Sequence, residues 1–254
     1  MADECKPVLY SADGFLARIV LNRPEKRNAL NSSVIVALKT ALLEAERNEE
    51  VRALTISGAG EDFCAGADLA ALQTIANGTV TENLDDARSL MELFLLIRSL
   101  EIPVVAVVRG RALAGGCGLA TACDLVLASV TARFGYPEVK IGFVPAMVTA
   151  ILKRNVTEKR AFELLTGGGE ISAEQAKTFG LVNEVFADES FDSAVNDYLG
   201  RFERVSKTAV SLTKRLLYQV DGMSFSQALE AGVDTNVIAR MTEDCRQGIK
   251  RFLK

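Results

Sequence analysis

Short apolar runs alternate with longer amphipathic stretches through the first two thirds of the chain. The apolar runs predict strands, because they are too short for helices and are rich in Val, Ile and Leu. Stretches with apolar residues at every third or fourth position predict helices. The first predicted strand and the second, at 15–21, form a hairpin around Ala12-Asp13-Gly14. The further predicted strands in this part of the chain are 51–57, 103–108 and 124–129. The predicted helices are 32–47, 84–100 and 115–122.

The last third of the chain is dominated by predicted helices. Ser172 and Gln175 have the spacing of a capping box, and Gly180 is suited to end the helix they begin. The region 70–83 is polar, and we expect a mobile loop there. The predicted helices are 144–154, 158–166, 172–179, 189–220 and 224–252, with one strand at 181–186.

Strands and helices that alternate at this spacing predict an α/β fold with right-handed crossovers. We assign residues 1–190 to this core and 191–254 to a helical C-terminal segment. The apolar faces of the terminal helices are too extensive to be buried locally, which predicts that they pack on a neighbouring subunit. These faces include Phe202, Val205, Leu212, Leu216, Phe225, Leu229, Val233 and Val237.

The 254 residues include no histidine, which excludes Ser-His and Cys-His nucleophile pairs and His-ligated zinc. Acid–base chemistry must therefore come from carboxylates, tyrosines, lysines or cysteines. The net charge of −4 gives no basic surface for nucleic acid or an anionic membrane. The five cysteines form no CxxC motif and suggest a reduced, cytoplasmic protein without a metal site.

One stretch, 112–132, is nearly long enough to span a bilayer. It is rich in Gly and Ala and has Asp124 near its centre, where a carboxylate is costly in lipid. We therefore interpret it as a buried helix followed by a buried strand, and we expect no membrane partner.

Two Gly/Ala-rich turns follow predicted strands, at 63–68 and 110–118. Such turns at strand–helix junctions are where α/β proteins bind ligands, and small side chains expose backbone N–H groups. Two N–H groups that converge on one oxygen form an oxyanion hole, although close backbone packing explains the same composition. Glu138 lies in an apolar, Gly/Pro-rich segment where burial could raise its pKa, although a solvated glutamate is the simpler interpretation.

Several of these segments together resemble the crotonase superfamily, the enoyl-CoA hydratase/isomerase family. The resemblance rests on five segments in the family's order: NRPEKRNALN at 22–31, FCAGADL at 63–69, GRALAGGCGLATACDLVLAS at 110–129, FGYPEV at 134–139 and SAEQAKTFGLVNEV at 172–185. It implies a spiral of ββα units closed by a C-terminal helical segment, assembled as homotrimers or dimers of trimers. It also implies an acyl-CoA thioester as substrate, with coenzyme A present only as part of that substrate and no separate cofactor.

The resemblance assigns roles to individual residues. The N–H groups of Ala67 and Gly115 would hold the thioester oxygen, and Glu138 would move the proton. Asp68 would help shape its turn. The coenzyme A channel would be lined by Lys26, Ala29 and Leu30, with the carbonyl of Ala65 meeting the adenine.

The hydratases of this family use a second glutamate three residues beyond the oxyanion glycine, where this chain has Gly118. One carboxylate suits isomerisation of a 3-enoyl-CoA to a 2-enoyl-CoA, but some relatives hydrate with one glutamate. We therefore expect a hydratase, with an isomerase and a catalytically impaired CoA-binding or assembly subunit as alternatives. Glu82, Asp85 or Asp86 could substitute for the missing acid, and a glutamate restored at 118 could raise hydration.

Overall fold

The computed structural model describes residues 6–253 and contains two β-sheets with helices packed around them. Cys5 of the sequence lies outside the described residues. The larger sheet has six strands in the order β1-β2-β3-β4-β6-β9, and the smaller has three in the order β5-β7-β8. The strands are β1 Val8–Asp13, β2 Leu16–Leu21, β3 Ala53–Gly58, β4 Val104–Val108, β5 Arg111–Leu113, β6 Leu125–Ser129, β7 Arg133–Gly135, β8 Glu170–Ser172 and β9 Glu184–Phe186.

Helices follow the strands in the first half of the chain and make up most of the second half. Short 3-10 helices at Pro24–Lys26, Pro137–Ile141, Asp188–Ser190 and Gly200–Phe202 connect these elements. The α-helices are α1 Ser32–Arg47, α2 Leu69–Asn77, α3 Val80–Ser99, α4 Gly115–Ala122, α5 Ala146–Asn155, α6 Glu158–Gly167, α7 Ala173–Phe179, α8 Phe191–Leu199, α9 Lys207–Gln219, α10 Phe225–Met241 and α11 Glu243–Phe252.

A repeated unit of two strands and a helix places the ends of several strands side by side. β4 belongs to the large sheet, β5 to the small sheet, and α4 follows; β6, β7 and the helices after them repeat this order. An isolated parallel bridge between Cys64 and Ala112 adds the segment after β3 beside β5. The β1–β2 pair is the predicted antiparallel hairpin, and β2, β3, β4, β6 and β9 run parallel.

The central strands β3, β4 and β6 of the large sheet are mostly buried, as expected for parallel strands covered by helices on both faces. Successive residues of β4 point to opposite sides: Val104 and Ala106 join the main core, while Val105 joins a second cluster. Phe191 and Val195 of α8 belong to that second cluster. The first helix of the predicted C-terminal segment therefore packs on the sheet. The division of the chain into a core at 1–190 and a helical segment at 191–254 stays a prediction.

The expected mobile loop at 70–83 is wrong, because α2 and the start of α3 occupy it. Asp68 caps α2, and Thr79 and Glu82 form a capping box that starts α3. The polar composition reflects the solvent-facing sides of these helices rather than a lack of structure. The capping box of Ser172 and Gln175 and the helix end at Gly180 are confirmed.

The other predicted elements differ mainly in their ends. The strand predicted at 181–186 is confined to β9, and the predicted helices 189–220 and 224–252 are each divided in two. The stretch 112–132 contains α4 and β6, as predicted. Between residues 6 and 253, none of the helices combines the length and apolarity that a bilayer crossing requires.

A buried ion pair attaches α9 to the core. Lys214 is 7% exposed and donates to Asp124 at 2.7 Å and to the carbonyls of Ile97 and Ile102 at 2.9 Å each. Burial lowers the pKa of Lys214, and Asp124 opposes that shift. Asp124 also accepts from the hydroxyl of Tyr218 at 2.6 Å, so two side chains of α9 converge on one carboxylate.

Buried polar side chains hold together the loops after the N-terminal strands. The side-chain amide of Asn28 donates to the carbonyls of Ala59 at 2.8 Å and Asp62 at 2.7 Å, and its oxygen accepts from the N–H of Arg23. The Asp62 carboxylate accepts two hydrogen bonds from the guanidinium of Arg111, each 2.9 Å long. Burial would raise the pKa of Asp62, but these hydrogen bonds lower it.

Arg23 extends this framework to the start of α2. Its guanidinium donates to the carbonyl of Ala29 at 2.8 Å and to Asp68 at 2.7 Å. The other carboxylate oxygen of Asp68 accepts from the N–H of Ala70 at 3.0 Å, which caps the helix. The hydrogen bond from Arg23 lowers the pKa of Asp68.

Lys214→Met should lower the free energy of unfolding by about 3–5 kcal/mol, because it leaves the buried Asp124 carboxylate without its cation. Arg215→Met changes an exposed cation on the same helix and should stay within about 0.5 kcal/mol of the wild type. Urea denaturation of both variants measures the difference. Equal stability of the two variants would show that α9 does not depend on this ion pair.

Asp68→Asn should lower the free energy of unfolding by about 1–2 kcal/mol, because it removes the ion pair with Arg23 but keeps a good helix cap. Asp68→Ala also removes the cap and should cost about 1 kcal/mol more. The lowered pKa of Asp68 means that its contribution is complete above about pH 3.9 and is lost as the pH falls through the folded-state pKa. Urea denaturation at pH 7 and below pH 4 should show the gap between wild type and Asp68→Asn closing in acid.

Candidate active site

The two Gly/Ala-rich turns meet at Gly66 and Ala114. A methyl group placed on Gly66 would lie 2.8 Å from Cβ of Ala114 and 3.6 Å from the backbone nitrogen of Gly115. Gly66 has a φ of +97°, a conformation that only glycine adopts without strain. Because Ala67 follows Gly66 directly, its N–H lies beside the turn that opens α4.

The N–H groups of Ala67 and Gly115 are not used by the backbone pairing around them. The bridge between Leu30 and Ala67 is made by the N–H of Leu30, which donates to Gly66, and by the N–H of Asp68, which donates to Leu30. Gly115 is the first residue of α4, where the first N–H groups have no acceptor within the helix. Both predicted donors are thus available to an oxygen of a ligand.

Ala114 turns the chain into α4 with strained backbone geometry. Its φ is +49° and its ψ is −126°, values that residues other than glycine rarely adopt. Its N–H donates to the carbonyl of Gly135 at 2.9 Å, which fixes the turn against β7. Strain of this kind costs about 1–3 kcal/mol and is concentrated at functional sites, where it fixes the direction of backbone groups.

The segment 26–30 lies alongside the first turn. The carbonyl of Arg27 accepts from the N–H of Ala65 at 3.0 Å, and Leu30 pairs with Ala67. A methyl group placed on Gly115 would lie 3.6 Å from Cδ1 of Leu30, so Leu30 borders both predicted donors. Lys26 is exposed, and Ala29 and Leu30 are buried. Asp68 is committed to Arg23 and to the cap of α2, as expected of a residue that shapes the turn.

The small sheet places the segment that carries Glu138 beside the end of β5, from which α4 begins. β7 pairs with β5 so that Gly135 lies opposite Leu113, and the 3-10 helix that carries Glu138 begins two residues later. Glu138 is half-buried, and its Oε2 atom is shielded from solvent with no hydrogen-bond partner among residues 6–253. Burial raises the pKa of this carboxyl group above its usual value. A carboxylate in this state is suited to accept a proton.

A buried polar cluster lies behind Glu138. The hydroxyl of Tyr136 lies 3.3 Å from that of Thr121 and hydrogen-bonds the thiol of Cys117. Burial, with a smaller contribution from the Glu138 carboxylate, raises the pKa of Cys117 to about 12. Cys117 is therefore a neutral thiol at neutral pH, and it is not a second acid or base beside Glu138.

Gly118 has no room for a side chain. A methyl group placed on it would lie 2.3 Å from Cγ1 of Val148 and 3.2 Å from Cζ of Phe94. Both neighbours are buried, so neither can move aside easily. The expectation that a glutamate at 118 could raise hydration stays a prediction, and the structure adds that the side chain cannot enter without displacing Val148.

The three acids considered as substitutes are on α3, on a different side of the site. The Glu82 carboxylate is held in the capping box by the N–H and hydroxyl of Thr79, at 2.7 and 2.8 Å. Glu82, Asp85 and Asp86 line a cleft of about 640 Å³ together with Asp68, and Glu138 is not among the residues that line it. The structure does not bring them together with Glu138.

Two N–H groups beside one half-buried carboxylate can stabilise negative charge on an oxygen and transfer a proton at a neighbouring atom. Within residues 6–253, acidic and cysteine side chains form no cluster able to hold a metal ion. Sequence reasoning missed Ala114, because nothing in the sequence distinguishes a strained alanine. It also missed Val148, because the contact with Gly118 spans 30 positions of the chain.

The sequence matches the family model described as enoyl-CoA hydratase/isomerase over residues 12–254. A putative enoyl-CoA hydratase of Thermus thermophilus is 41% identical over 244 residues, which cover 95% of each chain. The crotonyl-CoA hydratase of Syntrophomonas wolfei is 34% identical and covers 97% of this chain and 95% of its own. An enoyl-CoA hydratase structure from Mycobacterium smegmatis has a TM-score of 0.93 at 31% identity and covers 97% of this chain and 96% of its own.

The matched segment includes both turns and Glu138, and the solved structure covers the core together with the C-terminal helices. The α/β architecture and the resemblance in sequence are thereby confirmed. The chain belongs to the enoyl-CoA hydratase/isomerase family, which is the crotonase superfamily.

Proposed function

We propose that this protein binds an acyl-CoA thioester, stabilises its enolate with two backbone N–H groups and moves a proton at C2 with Glu138. The observation that carries the proposal is the solvent-shielded Oε2 of Glu138, which has no hydrogen-bond partner among residues 6–253. In this proposal Ala67 and Gly115 donate to the thioester oxygen, and each bond stabilises the enolate by about 3 kcal/mol.

The net reaction we propose is addition of water to a 2-enoyl-CoA, as in the relatives named as hydratases. As the oxygen of water bonds to C3, Glu138 takes a proton from that water. The electrons of the C2–C3 double bond pass to the thioester oxygen, and Glu138 then delivers the proton to C2. One carboxylate thus completes the cycle, since it gains one proton and loses one.

A second candidate is migration of a double bond from C3–C4 to C2–C3. Glu138 would take a proton from C2 and return it to C4, and the same N–H groups would hold the dienolate oxygen. The contact between Gly118 and Val148 favours this candidate, because it places methyl groups where the family's hydratases have a second acid. The third alternative, binding without turnover, predicts no product from either substrate.

We propose that the coenzyme A part of the substrate lies along the segment from Lys26 to Leu30 and the carbonyl of Ala65. Lys26 is exposed and can contact a phosphate, and Leu30 borders Gly115. The proposed location is the cytoplasm, which is supported by four free cysteines, at 64, 117, 123 and 245, among the described residues.

We also propose a homotrimer or a dimer of trimers. α10 has no buried residue, and the side chain of Phe225 at its start is 82% exposed. The exposed apolar residues of α10 recur at helical spacing and form one continuous face. They are Phe225, Leu229, Val233, Val237, Ile238 and Met241.

Glu138→Gln should lower kcat by about 10²- to 10⁴-fold, because it keeps the size of the side chain but removes the base. Binding of the CoA ester should change little. Glu158→Gln, an exposed glutamate in the first turn of α6, is the matched control and should keep wild-type rates. Steady-state kinetics with crotonyl-CoA and with trans-3-hexenoyl-CoA give the answer, and near wild-type rates on both substrates would exclude Glu138 as the base.

The pH profile should report the raised pKa of Glu138. The carboxylate is the active form, so kcat/KM should be level above its pKa and fall about tenfold per unit below it. The midpoint of this acidic limb should lie above about 4.3, the ordinary value for glutamate, because burial raises the pKa. An acidic limb centred at or below that value would contradict the assignment.

Light scattering of the intact protein should give the mass of three or six chains. Deletion of 225–254 removes α10 and α11 and should cause dissociation or aggregation, since the surface beneath them is then exposed. A monomer of the intact chain, or a deletion variant that keeps the same number of chains as the intact protein, would contradict the proposed assembly.

Dialysis against a chelator should leave turnover of crotonyl-CoA unchanged, because the proposed steps use only a carboxylate and backbone N–H groups. Magnesium or zinc added afterwards should have no effect. A loss of activity that a divalent ion restores would overturn the proposal that no metal takes part.

A further inference from the structure

The side chain of Val148 fills the space beside Gly118, one turn into α4. Gly118 follows Gly115 by three residues, so the two positions lie on the same side of the helix. A Cβ atom at 118 would be only 2.3 Å from Cγ1 of Val148, far inside van der Waals contact. A glycine on α4 and a valine on α5 are therefore complementary in size.

The same contact determines the chemical character of the wall of the candidate site that Val148 and Phe94 form. Val148 and Phe94 are both buried in the main core, and neither has a group that can hydrogen-bond or titrate. Glu138 approaches the start of α4 from the small sheet, where its carboxylate is close enough to Cys117 to raise the pKa of that thiol. The side chains of Val148 and Phe94 therefore offer no hydrogen bond to a water molecule.

We propose that Val148 is a specificity-determining residue, which keeps this wall of the site apolar and closed to a second acid and so lowers the rate of water addition relative to proton transfer between carbons, with addition of water still the net reaction of the wild type. This inference rests on the proposed enolate chemistry. Isomerisation needs Glu138 and the two N–H groups, and it moves one proton from C2 to C4. Hydration additionally needs a water molecule placed at C3, which a polar neighbour would hold and an apolar wall does not.

The test compares hydration of crotonyl-CoA with isomerisation of trans-3-hexenoyl-CoA in the intact protein. Val148→Thr keeps the shape of the side chain but replaces a methyl group by a hydroxyl, and should raise the ratio of hydration to isomerisation several-fold. Val148→Ala combined with Gly118→Glu makes room for a second acid and should raise the ratio about tenfold or more. Val156→Thr makes the same replacement at a buried position at the end of α5 and should leave the ratio unchanged.

A thermal-stability cycle tests the contact without relying on activity. Gly118→Ala alone should lower the melting temperature, because its Cβ collides with Val148. In a chain that already carries Val148→Ala, the same change should lower it much less. Equal decreases in both backgrounds would overturn the proposal, even if the variant with glutamate at 118 failed to fold.

The outcomes separate this inference from the function on which it rests. A ratio that stays constant in Val148→Thr and in the folded double variant, while wild type converts either substrate, would overturn the inference alone. A Gly118→Glu variant with full hydration activity and an unchanged melting temperature would also overturn the inference about Val148 alone. A wild type that converts neither substrate would overturn both the proposed function and this inference.

Discussion

The close approach of two strand–helix turns is the constraint on which the candidate site depends. Bare backbone is required at several crossings: a Cβ on Gly116 would lie 2.3 Å from the carbonyl oxygen of Cys64, and one on Gly110 would lie 2.0 Å from that of Glu61. Only glycine permits these contacts, and they bring the turn that contains Ala67 beside the turn that opens α4. The framework of Asn28, Asp62 and Arg111 then holds the turns in register.

The periodicity of the chain was sufficient to predict the central strands and the helices between them, because their side chains are sorted by burial. β4 and α4 were predicted nearly to the residue. The pattern failed at 70–83, where the short helix α2 and the exposed first turn of α3 owe their ends to capping rather than to an apolar face. It also missed the breaks within the C-terminal helices, where a cap at Thr242 separates α10 from α11.

The candidate site is less predictable from sequence, because it depends on the direction of backbone N–H groups and on the space between packed side chains. The resemblance to a family named Glu138, Ala67 and Gly115, and the structure brings their segments together. The φ of Ala114 and the space beside Gly118 depend on residues distant in sequence. A glycine in place of a glutamate indicates that something has changed at 118, but only the packing identifies Val148 as its counterpart.

The buried and half-buried carboxylates Asp62, Asp124 and Glu138 differ in whether their oxygens have hydrogen-bond partners. Asp62 is paired with Arg111, and Asp124 receives both Lys214 and Tyr218, so their charges are compensated and they hold elements together. Glu138 differs, because a shielded oxygen of its carboxylate has no partner within residues 6–253. An unmade hydrogen bond at a buried charge opposes folding. Glu138 therefore does not hold elements together as Asp62 and Asp124 do. Its carboxylate oxygen without a partner is the feature that a base requires.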